Sequence, residues 1–162
     1  MNKKKYSLAA KIWHWGFVVL FIYSIAKSVE NIEQLENQNF FRFEIIFATI
    51  FLLLILIRFI YMIKTQQTAL PNDTPKIQKF LAKTVHLGMY VSLASIAITG
   101  MIIGFFYWLG FKEGVLIETL TAIHEFVVTL MYCLVSIHIL AAIFHRLKKD
   151  GVWSAMVPFW KE

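Results

Sequence analysis

His124-Glu125-Phe126-Val127-Val128-Thr129-Leu130-Met131-Tyr132-Cys133-Leu134-Val135-Ser136-Ile137-His138-Ile139-Leu140-Ala141-Ala142-Ile143-Phe144-His145 is a nearly unbroken apolar run that holds three of the chain's five histidines. The intervals between them are fourteen and seven residues. At about 100° per residue these steps drift by only about −40° and −20°, so the three imidazoles line one face of a helix. His124 and His138 lie roughly 21 Å apart along its axis. The run exceeds the ~20 residues that cross a bilayer. Ionisable groups inside such a span are costly and mark a functional site by default.

Outward from this run, the composition places the whole chain in a membrane. It is 59% hydrophobic and 16% charged, with a mean hydropathy of +0.65. A soluble domain of this length carries more charge. Apolar stretches at about 8–29, 43–63, 85–109 and 120–145 are each long enough to span as helices. Strands are excluded, because lipid-exposed backbone must satisfy its own hydrogen bonds. The expected fold is all-α: a four-transmembrane-helix bundle forming a single membrane domain over 1–162.

Lysine and arginine set the orientation. They gather before the first span (Lys3, Lys4, Lys5, Lys11), between the second and third (Lys64, Lys76, Lys79, Lys83) and after the fourth (Arg146, Lys148, Lys149, Lys161). The other two loops are more acidic, with Glu30, Glu33, Glu36, Glu113 and Glu118. Both termini and the loop between the second and third spans are therefore expected on the cytoplasmic side. The net charge of +6 is spread over three segments, which reads as a topology signal and contact with anionic lipid, with no nucleic-acid partner. Lys3-Lys4-Lys5 before an apolar run resembles a signal peptide. No clean cleavage site follows, so the reading is a retained signal anchor. Cys133, alone in mid-span, is expected to be a small buried apolar residue.

Further candidates lie on the other spans. His14 sits between Trp13 and Trp15, one to two turns into the first span, at a level that His138 or His145 can share. Glu44 opens the second span, where a carboxylate favours a helix N-terminus. Arg58 lies about a turn from that span's cytoplasmic end, placed to snorkel or to pair with a buried anion such as a haem propionate. A short amphipathic stretch from Lys76 to Lys83 is expected along the membrane surface. His86 lies near the cytoplasmic boundary of the third span, either as an interfacial histidine or against a cofactor or quinone headgroup. Phe105-Phe106-Tyr107-Trp108 reads as an aromatic belt, and Trp153, Phe159 and Trp160 as interfacial anchors.

No phosphate loop, Cys-x-x-Cys pair or Ser/His/Asp arrangement is present, so any chemistry belongs to histidines within a bundle. Such bundles seat cofactors between facing helices. A zinc site needs three or four ligands at one level, whereas these histidines occupy two levels, mostly one per helix. Two imidazoles from different helices suffice for haem. With these residues the sequence resembles the bacterial cytochrome b561 family over nearly its whole length. The likeness rests on Ile12-Trp13-His14-Trp15, the leucine-rich second span ending at Arg58, and His86-Leu87-Gly88-Met89-Tyr90 leading to Thr99-Gly100. It continues in His124-Glu125, His138-Ile139-Leu140-Ala141-Ala142 with His145, Asp150-Gly151 and Met156-Val157-Pro158.

The resemblance implies two b-type haems across the membrane, electron exchange with quinone or quinol, a second redox partner protein, and in some members superoxide oxidation. It assigns His14 and His138 to a cytoplasmic-side haem. It assigns His124 to an outer haem together with a histidine in the first turn of the second span. That position, measured back from Arg58, holds Glu44, and the second span contains no histidine. The outer haem is then lost, or held by His124 with Glu44 or water, or replaced by a second site at His86 and His145. Glu44 near His124 would also suit a proton acceptor for a quinol. Two other readings stand beside the electron carrier: a membrane anchor that docks a soluble dehydrogenase or reductase, and a histidine-lined transporter. The transporter lacks acidic residues deep in the spans.

Overall fold

The computed structural model describes residues 6–29, 32–66 and 68–158. Lys3, Lys4, Lys5, Glu30, Phe159, Trp160 and Lys161, which enter the charge and anchor readings, lie outside the described residues. Four long helices dominate: α1 (Leu8–Ala26), α2 (Gln38–Thr65), α3 (Lys76–Trp108) and α4 (Val115–Lys148). All four are long and apolar enough to cross a membrane. A 3-10 turn (Ile32–Glu36) precedes α2, and a short α5 (Val152–Met156) follows α4. No strand occurs among the described residues.

The helix ends follow local chemistry. The Ser7 hydroxyl accepts from the Ala10 N–H at 3.1 Å, an N-cap that starts α1. Asn37 Oδ1 accepts from the Asn39 and Phe40 amides at 3.0 and 3.2 Å, so α2 begins well before the apolar run expected from residue 43. The expected surface helix at Lys76–Lys83 is instead the first two turns of α3. Pro75 sets the start, and nothing between it and His86 breaks the ladder of backbone hydrogen bonds. At the other end of α4, Lys149 (φ 55°) and Gly151 (φ 89°) both take left-handed conformations. This reverses the chain and lays α5 back over the bundle.

Phe17, Phe51, Ile55, Leu93 and Met131 form the buried core, with every long helix contributing. The outer surface is apolar: Ile46, Ile63 and Leu140 are 58%, 65% and 66% exposed, as lipid-facing residues are. Helix association in such surroundings rests on packing rather than on a difference in hydrophobicity. Gly104 of α3 provides one close approach, since a Cβ there would come within 2.6 Å of Ile45 Cδ1 on α2. α3 packs closely along α2 and α4. α1 meets its neighbours mainly through bulky rings, Phe17 on Phe51 at 5.8 Å and Phe21 on Tyr132 at 6.3 Å. Cys133 is exposed on the outer face of α4, not buried. When both faces of a span are apolar, composition does not tell inward from outward.

Candidate functional site

At the end of the bundle where α1 begins and α4 ends, each long helix contributes one polar side chain to a cluster: His14, Arg58, His86 and His138. The His14 and His138 ring centres are 6.2 Å apart, with planes inclined at 62°. His86 meets His138 edge-on at 4.9 Å. Arg58 Nη2 lies 3.2 Å from His14 Nδ1. A guanidinium only donates, so His14 Nδ1 is the acceptor and the neutral ring carries its proton on Nε2. The Arg58 guanidinium lies 4.9 Å from the Phe17 ring centre and 5.5 Å from that of Tyr90, which is cation–π geometry. Its Nε is buried without a hydrogen-bond partner among the described residues.

His86 has the opposite tautomer. Its Nδ1 is 2.6 Å from the Ala82 carbonyl oxygen. A carbonyl only accepts, so the proton is on Nδ1 and Nε2 keeps its lone pair. Trp15 packs edge-on against His14 at 5.8 Å and donates its indole N–H to the Met156 carbonyl at 3.4 Å. The turn that returns α5 thus covers this end of the cluster.

His124 stands toward the opposite end. Thr99 Oγ1 donates to the Ser95 carbonyl at 2.7 Å, which uses its one proton. The hydroxyl oxygen therefore accepts from His124 Nδ1, 2.8 Å away, and His124 Nε2 is left with its lone pair. The bare Cα of Gly100 lies beside the ring, where a Cβ would stand 3.5 Å from Cε1. Glu44 is half-buried and makes no hydrogen bond or ion pair among the described residues. His124, His138 and His145 all meet side chains of α3 (Thr99, His86 and Gln78), so the stripe faces inward as its spacing predicts. Among the described residues no group of three or more His, Cys, Asp or Glu could hold a metal ion.

His145 is not brought together with His86. It is 7% exposed, with Nδ1 2.7 Å from Asp150 Oδ2 and Nε2 3.5 Å from Gln78 Nε2. Asp150 Oδ1 also accepts from the Val152 amide at 3.2 Å, starting α5. His145 is thus a clasp between α3, α4 and the returning segment, with both ring nitrogens engaged. The sequence signal was Asp150-Gly151 five residues on, but the bond depends on the reversal at Lys149. Asp150→Ala removes both acceptors and is expected to cost about 1.5–3 kcal/mol of local stability. Trypsin should then cut after Lys148 and Lys149 at least about tenfold faster than in the wild type. Equal cleavage rates would contradict the clasp.

Among protein-family models, the one described as prokaryotic cytochrome b561 matches residues 5–159, nearly the whole chain. No curated protein and no solved structure matches the chain.

Proposed function

The chain belongs to the prokaryotic cytochrome b561 family, and on that premise we propose that it carries electrons through one haem b held by His14 and His138. A multi-pass membrane b-type cytochrome is what membership establishes; the ligands, the haem count and the partners are our reading. The observation that carries the ligand pair is the 6.2 Å separation of the two rings. Two imidazoles sharing one metal through bonds of about 2 Å place their ring centres about 6 Å apart. His86 and His138, at 4.9 Å, are too close for that geometry.

When bound, haem supplies one-electron chemistry between two iron oxidation states. The chain's own residues do the rest. Ligation through Nε2 requires His14 to hold its proton on Nδ1, so Arg58 must turn away from that nitrogen. Its unpaired Nε and its remaining N–H groups then serve an anionic substituent such as a propionate. His86 packs edge-on against His138 at 4.9 Å and would limit that ring's orientation, as partners of metal-ligating histidines do. Trp15 and α5 cover the His14 side of the cluster.

We read the His124 level as holding no haem in this chain, because the residue in the partner position is Glu44. A carboxylate there suits proton exchange at a quinol better than iron ligation. Quinone or quinol, a second redox protein, and superoxide as a substrate are the partners proposed on the family premise. The bacterial inner membrane as location is proposed on the family premise, and a cytoplasmic position for both termini from the loop charges.

A reduced-minus-oxidised spectrum of cofactor-replete protein, with haem quantified per chain, tests this reading. One b-type haem per chain is expected. A protein without a b-type α-band would overturn it.

A further inference from the structure

At the end of the bundle opposite the histidine cluster, a groove of about 380 Å³ runs between α2 and α3. That is within the range of about 300–1,000 Å³ typical of small-molecule sites. Arg42, Ile46, Met101, Gly104, Phe105 and Trp108 line it. Its floor is closed where Ile45 Cδ1 of α2 packs over the bare Cα of Gly104. Its walls open sideways: Ile46, Phe105 and Trp108 are 58%, 54% and 71% exposed. Except at Arg42, the lining is apolar.

Arg42 gives this groove its chemical sense. It is exposed and pairs with no carboxylate among the described residues. Lys112, at the same end, is committed: its ammonium lies 3.0 Å from Glu36 Oε1, a hydrogen bond that holds it above the usual lysine range. Arg42 is therefore a free cation at the head of an apolar slot on a lipid-facing surface. A ligand that complements it has an anionic head and a hydrocarbon tail.

We propose that this groove binds one anionic phospholipid, its phosphate on Arg42 and an acyl chain along Ile46, Met101 and Phe105. Trp108 stands beside the head, where interfacial tryptophans favour the headgroup level. A neutral tail-bearing molecule would use the same slot without needing Arg42, and that difference makes the proposal testable. It does not depend on the haem reading.

The experiment is native mass spectrometry of the purified, haem-replete protein with phosphatidylglycerol or phosphatidylcholine carrying identical chains. Wild type is expected to retain one phosphatidylglycerol, favoured about fivefold over phosphatidylcholine, as one basic residue at a membrane surface supplies. Arg42→Gln should abolish the preference and Arg42→Lys should keep most of it. Ile46→Trp, which fills the slot at an exposed position, should reduce retention of both lipids. Helical circular dichroism confirms that each variant is folded. Equal retention of the two lipids by wild type, or phosphatidylglycerol retention unmoved by both Arg42→Gln and Ile46→Trp, overturns the proposal. So does displacement of phosphatidylglycerol by a neutral isoprenoid quinone whose binding ignores Arg42→Gln.

Discussion

His138→Ala is expected to strip the purified protein of its haem. Content per chain should fall by at least about tenfold, since loss of even a residue that only supports a metal ligand costs about 10–100-fold in affinity. His138 is the hub of the cluster, with His14 at 6.2 Å and His86 at 4.9 Å. Without it, His14 keeps Arg58 on Nδ1 and has no opposing imidazole. Two controls make the result specific. Imidazole added during reconstitution should restore part of the signal, which a misfolded bundle would not allow. His145→Ala should keep its haem, because that ring is engaged by Asp150 and Gln78. Unchanged haem content in His138→Ala sinks the ligand pair.

The second large effect runs in the opposite direction. Glu44→His should raise haem content from one to two per chain and split the redox titration into two steps. Glu44 precedes Arg58 by fourteen residues, about four helical turns, so it projects from the same side of α2. His124 is already in the tautomer a ligand needs, since its Nδ1–H donates to Thr99 Oγ1 and Nε2 keeps its lone pair. Gly100 leaves space beside the ring. On the one-haem reading, what this level lacks is the partner imidazole. Two haems in the wild-type protein would refute the one-haem reading. A variant that still binds one, with an unchanged spectrum, would refute the view that Glu44 is what removed the second.

The four spans were legible because each carries enough apolar residues to cross a bilayer, a requirement set by thickness alone. Their ends were not, because a helix continues as long as its backbone ladder does. Gln38–Arg42 and Lys76–Lys83 are polar enough to read as loop or surface helix, yet Asn37 and Pro75 start the helices before them. The histidine stripe on α4 followed from its spacing. His145 did not separate from its neighbours by spacing, since its partner Asp150 reaches it only after the left-handed turn at Lys149. Arg58 was open between snorkelling and pairing with an anion. Its contact with His14 is a tertiary fact that no pattern within α2 encodes. Thr99 as the partner of His124 was equally hidden, because a threonine in a span is usually bonded only to its own helix.

α5 closes the histidine cluster from the C-terminal side, with the Met156 carbonyl on the Trp15 indole. The order of synthesis gives this arrangement a consequence. His14 leaves the ribosome before His138, which follows it by 124 positions. At about 5–20 residues per second that is a delay of roughly 6–25 s. Within that interval α2 and α3 are made while the imidazole opposite His14 does not yet exist. On the proposed ligand pair, cofactor capture would wait for α4, and a translating chain arrested before α4 would hold only half of the proposed grip.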